Sequence, residues 1–460
     1  VYADDGDTYA AAIEAVGGRE VATSSGTAAS QAATPLAELT GTRPTGEVER
    51  RYAEQTPDTA IKVLFTSGST GNPKGVLTTN RMLCANQQMM RQVWPFLAED
   101  PPVLLDWLPW SHTFGGSHNL NMVLANGGSL WIDDGRPAPG LLERTLRNLG
   151  DVSPTIYFNV PAGYAALVPA LEQDAELAER FFARLRVVFF AAAALPQQLW
   201  DRIEQLGAQL RASAQMTTSW GATETGPAAT SAHFTSGRSD CIGVPLPGVQ
   251  LKLSPVGDKL EIRVKGPNVT PGYHRRPDLT AVAFDEEGFY RTGDAVRLID
   301  QASPESGLRF DGRITEDFKL STGTWVSVGT LRPMLLSAAE GLLQDAVLGG
   351  LDRDYVVALA WLNLAHARRL AGAGAEADAR ALARDPSVRA AVFGALERLN
   401  RGAGSSQRIA RLLIVEEPPS LDAGEITDKG YINQRATLER RGIMVERLFA
   451  EPPHPDVIAR

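Results

Sequence analysis

The sequence predicts an α/β protein: a large first domain of parallel-sheet layers with a β-rich subdomain, then a small α+β domain. Three observations carry this. From Ile61 to about Gly226, short apolar strands, glycine-rich loops and helices alternate, the order that builds parallel sheets with loops at the strand ends. From Val249 the texture turns all-β, with VQLKLSP, DKLEIRVKG and GFYRTGDAVRLID separated by Gly and Pro turns. After Asp311-Gly312-Arg313 it changes again, to helices mixed with the strands VVALAWL and IARLLIV. The expected boundaries are 1–248, 249–313 and 314–460.

The elements follow in order. The chain opens on Val1 with no initiator Met and no basic-then-apolar leader, so it is expected to begin in mid-protein. Residues 20–60, rich in Ala, Thr, Ser and Gly without periodicity, read as connection rather than core. IKVLF is then a short strand, SGSTGNPKG a loop, and TTNRMLCANQQMMRQVW a helix whose Met82, Met89, Met90 and Val93 recur at helical intervals and fill a core. VLLDWLP runs into the SHTFGG turn, and RVVFFAAAA into LPQQLWDRIEQL. The longest apolar stretch, Val187 to Leu195, is far short of the ~20 residues that span a bilayer and reads as a buried strand entering a turn. In the last domain, WVSVGTLRPMLLSAAEGLL precedes VVALAWL, residues 365–402 read as a long amphipathic Ala/Arg helix region facing solvent, and a charged helix closes the chain.

The 460 residues are 43% hydrophobic and 22% charged, with a formal net charge of −9. That is a globular composition of two or three domains, and an acidic balance without a basic block excludes a nucleic-acid binder. Cys84 and Cys241 lie too far apart for a metal site or a disulfide framework and read as core thiols of a cytoplasmic protein. Of the 45 basic residues only seven are Lys, at positions 62, 74, 252, 259, 265, 319 and 429. Lys62, Lys252, Lys259 and Lys265 sit in strands without special context. Lys74, Lys319 and Lys429 fall in three loops where a compact ammonium can meet phosphate, thiol-side or carboxylate chemistry.

Four segments carry chemistry. In Thr66-Ser67-Gly68-Ser69-Thr70-Gly71-Asn72-Pro73-Lys74-Gly75, hydroxyls, glycine N–H groups and one Lys can surround phosphate oxygens, although the spacing is not that of a Walker A loop. In Ser219-Trp220-Gly221-Ala222-Thr223-Glu224-Thr225-Gly226, an aromatic that can stack on a base precedes a hydroxyl and a carboxylate suited to phosphate and Mg²⁺. Tyr290-Arg291-Thr292-Gly293-Asp294 ends a strand on a carboxylate able to accept both hydroxyls of a ribose, and Asp311-Gly312-Arg313 adds a guanidinium. Read singly, each is equally a surface turn, a strand cap or a surface Arg.

In this order, loop, aromatic-Gly-x-Thr-Glu, Tyr-Arg-Thr-Gly-Asp and Gly-Arg resemble the adenylate-forming superfamily of acyl-CoA synthetases, luciferases and peptide-synthetase adenylation domains, from about residue 60 onward. Within it, Glu316-Asp317-Phe318-Lys319-Leu320-Ser321-Thr322-Gly323-Thr324-Trp325-Val326-Ser327-Val328-Gly329 together with Thr427-Asp428-Lys429-Gly430-Tyr431-Ile432-Asn433-Gln434-Arg435 is similar to feruloyl-CoA synthases. The resemblance implies a large adenylation domain with a small mobile C-terminal domain, and ATP, Mg²⁺ and coenzyme A as cofactors. Thr66, Ser67, Gly68, Ser69, Thr70, Gly71 and Lys74 would hold the β- and γ-phosphates. Trp220, where relatives more often carry Tyr, would face the adenine, Thr223 the α-phosphate, Glu224 with Thr70 the Mg²⁺, and Asp294 with Arg313 the ribose. His112 would flank the acyl carboxylate. Phe114, Gly115, Gly116, Asn159, Val160, Pro161 and the alanines 191 to 194, Ala192 and Ala193 among them, would line a narrow acyl slot. Lys429 would be the catalytic lysine, in a Thr-Asp-Lys-Gly-Tyr-Ile setting that departs from the family's usual Pro-x-x-x-x-Gly-Lys. Thr315 would be the hinge, and Lys319 and Gly323 would serve the thiol side, in a loop one residue longer than in many relatives.

The implied activity is an ATP-dependent acid–CoA ligase, on a hydroxycinnamate such as ferulate. A medium- or long-chain fatty acyl-CoA synthetase and an acyl-AMP ligase loading a carrier protein are the alternatives. A non-catalytic nucleotide binder is disfavoured by intact Lys74, Thr223, Glu224, Asp294 and Arg313. The partners implied are a small carboxylic acid, ATP and CoA, with no nucleic acid and no membrane span. Only 66 residues precede Ser67, where the superfamily has a whole α/β subdomain, so a missing front part, unpaired strands and uncovered apolar surface are expected.

Overall fold

The computed structural model describes residues 2–5, 7–16, 21–26, 33–66, 73–138, 140–374, 376–420, 423–426 and 432–459. Ser67 to Asn72 and Thr427 to Tyr431, and with them Lys429, lie outside the described residues. The chain forms two compact units, Val1–Thr59 and Ala60–Arg460.

In the first unit, strands Tyr2–Asp5, Val21–Ser25 and Ala33–Pro35 form a three-stranded parallel sheet, with Tyr2 opposite Ala22 and Val21 opposite Ala33. This corrects the reading of residues 20–60 as connection. Strands built from Ala, Thr and Ser carry almost no apolar periodicity, so the backbone pairing left no signal. The helix Gly46–Ala53 buries no residue and is braced by Glu47 paired with Arg50 and Arg51.

The larger unit is organised by one nine-stranded sheet. Its spatial order is Gln250–Val256, Lys259–Lys265, Tyr290–Leu298, Leu308–Arg313, Cys241–Pro245, Ala228–Ser231, Gln215–Gly221, Val187–Phe190 and Ile156–Asn159. The last three run parallel and the remainder pair antiparallel, so the β-rich stretch extends the same sheet that the α/β stretch begins. The parallel strands are buried on both faces. Tyr157, Val188 and Phe190 point into a core with Tyr164, Phe181 and Trp200 from the covering helices. Ile156, Phe158, Val187 and Phe189 point into a second core with Met89, Met90, Trp94, Phe114 and Trp220. An unbroken apolar run rather than an alternating one is what two-sided burial demands. Met82 is buried with Met89 and Met90, whereas Val93 is half-buried. Cys241 is a buried free thiol, but Cys84, expected in a core, is exposed on the same helix as these methionines, on its polar face.

Two short strand pairs complete this part: Ala60–Thr66 antiparallel to Lys74–Thr79, and Val103–Asp106 parallel to Ser129–Ile132. Phe65, Trp131 and Ile132 on these strands are exposed. Among the described residues no helix is long and apolar enough to cross a membrane.

The last part has a four-stranded sheet in the order Leu343–Gly349, Val356–Leu362, Ile409–Ile414 and Val457–Ala459, the final strand having no sequence signal of its own. The Ala/Arg region is three helices, Leu364–Ala371, Ala379–Arg384 and Pro386–Asn400, broken at Gly372 and at Asp385-Pro386. Its inner face is core rather than solvated surface: Val388, Val392, Ala395 and Leu396 are fully buried against the sheet.

Lys259 departs from its ordinary strand reading. It is 6% exposed, forms an ion pair with Asp317, and donates to Asp311 O at 2.7 Å and Ser327 Oγ at 3.0 Å. Beside it, Gly312 and Gly329 meet backbone to backbone: a Cβ on Gly329 would lie 2.2 Å from the Gly312 Cα. Burial pushes the Asp317 carboxyl up, and Lys259 opposes that shift. Removing one partner of a buried pair strands the other charge, at a cost of about 3–5 kcal/mol, whereas replacing both with apolar groups restores much of it. Lys259→Met is therefore expected to lower stability by that amount in urea unfolding, and Lys259→Met/Asp317→Leu to recover at least half. A single-variant loss under about 1 kcal/mol would contradict the burial of this pair.

Candidate functional site

The strand Gln215–Gly221 ends in a tight turn, Thr223–Thr225, that carries the first functional group. Gly221 is required there, because a Cβ would lie 1.9 Å from Pro227 O, and Gly226 takes φ +71° to close the turn. Glu224 is buried within this turn, and its Oε1 accepts from the Tyr273 hydroxyl at 3.0 Å. Tyr290 Oη stands 3.2 Å from Tyr273 Oη. Burial raises both phenols, so each stays protonated as a hydrogen-bond donor. The Lys74 ammonium lies over the Tyr273 ring, 5.5 Å from its centroid.

On the same sheet, Trp220 Nε1 donates to Asp294 Oδ2 at 3.0 Å. Asp294 is paired in register with Arg313 on the neighbouring strand, whose Nε lies 3.3 Å from Asp294 Oδ1. Burial pushes the Asp294 carboxyl up, opposed by Arg313 and by the Trp220 hydrogen bond, and the Asp294 charge in turn raises Arg313. Trp220 is itself buried, so its indole both fills the core and fixes the carboxylate. Residues 74, 220, 223, 224, 290, 294 and 313, scattered through the sequence, thus meet around two carboxylates. Tyr273 was missed. Its only signal was an aromatic in the Pro271-Gly272-Tyr273 turn ahead of two arginines.

Thr66 pairs with Lys74, so the described strand ends hold the phosphate-type loop at its base. Ser67, Gly68, Ser69, Thr70 and Gly71 lie outside the described residues.

The segment Thr113–Asn119 is a fully buried π-helical turn, a rare geometry that recurs at functional sites. His112 precedes it, half-buried, with Nδ1 accepting from Phe114 N at 3.1 Å. Phe114 packs edge-on against Phe158. Gly115 and Gly116 lack side chains for a reason other than slot width: Cβ atoms there would lie 2.6 Å from Leu108 O and 2.0 Å from Trp110 O. Lys62 donates to Gly116 O at 3.3 Å, and its burial lowers the ammonium.

His118 is fully buried and stacked on Phe189. Its Nδ1 lies 2.9 Å from Asn119 Oδ1, while Asn119 Nδ2 donates to Asp106 Oδ2 at 2.8 Å. The Asn amide is thereby oriented, so Nδ1 carries the proton. Burial holds the imidazole down to about 4 and lifts Asp106 to about 6, with Asp133 adding to the latter.

Asn159 and Val160 are buried at the end of the strand Ile156–Asn159, and Pro161 begins the following helix. Ala192 and Ala193 are exposed beyond Phe190, and Ala192 holds φ +80°, a left-handed conformation that costs about 1–2 kcal/mol for a residue with a Cβ. Thr315 is exposed in the turn Ile314–Glu316 directly after Arg313. Lys319 and Gly323 share one hairpin, with Lys319 over the Trp325 ring at 5.0 Å and Gly323 at φ +80°. The flanks of Lys429 are held by an Ile426–Ile432 bridge and by the buried Glu425, which accepts from Arg441 and Arg440.

The model of the AMP-binding enzyme family matches residues 5–274, more than half of the chain. The chain belongs to the AMP-binding enzyme family. An anthranilate–CoA ligase of Pseudomonas aeruginosa is 30% identical over 290 residues, covering 60% of this chain and 50% of that protein. A carboxylic acid reductase of Segniliparus rugosus is 27% identical over 428 residues, covering 86% of this chain and 33% of that protein. The chain thus spans half or less of these curated relatives. The solved adenylation–PCP didomain of the Segniliparus rugosus carboxylic acid reductase, in complex with AMP, superposes with a TM-score of 0.71 over 97% of this chain and 65% of that one. At 20% identity that likeness is one of fold.

The buried pair gives a pH prediction within this family frame. Asp106, raised in the fold, adds stability that is lost as pH rises from about 4 through about 6. His118, lowered in the fold, adds stability that is lost as pH falls from about 6.5 through about 4. The two oppose each other. Relative to wild type, Asp106→Asn should lose stability on acidification between pH 6 and 4, and His118→Asn should gain it, each by up to about 1.4 kcal/mol per pH unit in urea unfolding. Parallel pH profiles for both variants and wild type would contradict this.

Proposed function

We propose that the chain is the acid-activating part of an ATP-dependent acid–CoA ligase, acting on a hydroxycinnamate-type aromatic acid such as ferulate. The observation that carries this is the convergence of Lys74, Glu224, Asp294 and Arg313, four groups of the motif order: Lys74 and Glu224 both touch Tyr273, and the Glu224 charge reaches the paired Asp294 and Arg313. The anthranilate–CoA ligase relative supports an aromatic acid, and the segments around Lys319 and Lys429 support ferulate among them.

In the proposed first step the acid's carboxylate attacks the α-phosphorus, a P–O bond to the acyl oxygen forms, and the bond to the β-phosphate oxygen breaks as pyrophosphate leaves. Both reactants are anionic, so the site must offset their repulsion and the charge that develops at phosphorus. Lys74 supplies a point charge toward the departing phosphates, Thr223 a hydroxyl toward the α-phosphate, and His112 a ring beside the acyl group. Asp294 and Arg313 orient the ribose. Asp294 Oδ1 is a buried acceptor that no hydrogen bond saturates, which suits a ribose hydroxyl. Among the described residues no three His, Cys, Asp or Glu gather at one point, so Glu224 acts as a single carboxylate ligand. That donor set fits Mg²⁺, which keeps several waters and binds mainly through phosphates; when bound it neutralises charge on the departing pyrophosphate.

In the proposed second step the CoA thiol attacks the acyl carbonyl and AMP leaves. Residues 314–460 turn about Thr315 between the steps, exchanging Lys429 for the Lys319–Gly323 hairpin. A second reading keeps the first step but passes the acyl group to a carrier protein. It is supported by the likeness to the carboxylic acid reductase, whose solved adenylation–PCP didomain shares its fold with 97% of this chain.

Pyrophosphate release over hydroxycinnamates, benzoates and fatty acids, with and without CoA, separates these readings. Ferulate should give the highest kcat/KM, with feruloyl-CoA as product. Adenylate accumulating without thioester would favour the carrier-protein reading, and a fatty acid ahead of ferulate would sink the aromatic assignment. Lys429→Ala should slow adenylation by about 100-fold and spare thioester formation from supplied acyl-adenylate. Equal loss in both steps would count against the domain exchange.

A further inference from the structure

We propose that Tyr273 is a positioning residue that holds the carboxylate of Glu224 and the ammonium of Lys74 apart and separately oriented. This rests on the reading of Glu224 as the Mg²⁺ carboxylate and of Lys74 as a phosphate contact.

The segment carrying Tyr273 is stitched to both partners through backbone. Toward the strand that bears Lys74, Leu77 N donates to Gly272 O at 3.1 Å, His274 N donates to Gly75 O at 2.7 Å, and Val76 bridges Tyr273. Toward the turn that bears Glu224, Thr270 N donates to Glu224 O at 2.8 Å, and the Thr270 hydroxyl donates back to Leu77 O at 2.7 Å. The backbone at Tyr273 is therefore tied to both elements.

Its two ends do different work. The hydroxyl proton goes to Glu224 Oε1, so the contact with Tyr290 must use a lone pair of Tyr273 Oη, with Tyr290 as donor. The line Tyr290→Tyr273→Glu224 engages Oε1, and Tyr290 lies near enough to the Glu224 carboxylate to feel it directly; the other oxygen, Oε2, is the one assigned here to the metal. The ring face meanwhile attracts Lys74 as a cation–π partner. Lys74 and Glu224 touch the same side chain from its two ends, and a direct ion pair between them would cancel the charge that phosphate needs and occupy the ligand that Mg²⁺ needs. The aromatic ring supplies the cation with a weak, neutral resting place instead.

Tyr273→Phe keeps the ring and removes the hydroxyl. In calorimetric titration of the full chain, it is expected to weaken MgATP binding about tenfold while leaving binding of ATP in the presence of EDTA within about twofold of wild type. Tyr273→Leu also removes the spacer, and should weaken both by about tenfold as Lys74 pairs with Glu224. Tyr290→Phe, which removes only the upstream donor, should move MgATP binding in the same direction by a smaller factor and guards against misfolding of the first variant. Equal loss of both ligands in Tyr273→Phe, or no loss of either, would overturn the proposal. Glu224→Gln is the control. If it leaves the Mg²⁺ dependence of binding intact, the metal reading itself has failed; if it abolishes that dependence while Tyr273→Phe does not alter it, only the role of Tyr273 has failed.

Discussion

Everything at the candidate site hangs on strands buried on both faces. Val187 to Phe190 send alternate side chains into two separate cores, so a slip by one residue would exchange Val187 and Phe189 with Val188 and Phe190 and disrupt both at once. That constraint fixes where each strand stops. The turn after Phe190, the end of Asn159 and the Thr223–Thr225 turn after Gly221 are all set by neighbours in one register. The loops need not be individually rigid, because their anchors are.

Onto this frame the molecule puts charges that cost stability when alone. Asp294 is buried, and Trp220 and Arg313 hold its two oxygens. Glu224 is buried, and a phenol, that of Tyr273, rather than a cation donates to it. The difference is chemical. A carboxylate already neutralised by Arg is a good acceptor for hydroxyls but a poor ligand for a cation, whereas one held by neutral donors keeps its full charge for a metal. Interior strands of one sheet thus present two buried carboxylates with different partners, a difference that suits the two tasks proposed for them.

The α/β core was legible because two-sided burial writes long apolar runs such as VVFF and IYF into the chain, and the β-rich stretch because Gly and Pro punctuate it. The motif residues were legible as types in order. What composition could not carry was partnership across distance. Tyr273 looks like any turn aromatic until its hydroxyl is found on Glu224, and His118 like any core imidazole until Asn119 and Asp106 line up behind it. Lys259 read as an ordinary strand cation because its partner Asp317 lies 58 residues away in sequence. The sheet of the first unit was invisible for the opposite reason: strands as short and as poor in large apolar residues as VATSS and ATP show no pattern to read.

The contact of Gly312 with Gly329 has a mechanical meaning. Most packed surfaces interlock, and separating them requires side chains to withdraw from one another's grooves. Here two bare backbones lie face to face, and the grip beside them is one ammonium, that of Lys259, which holds Asp317, Asp311 O and Ser327 Oγ together. A seam built this way has no side chain interposed between the two glycines, so the Lys259 contacts are what must be rehydrated for it to part there. A methyl group at either glycine would act as a shim, holding the seam permanently ajar.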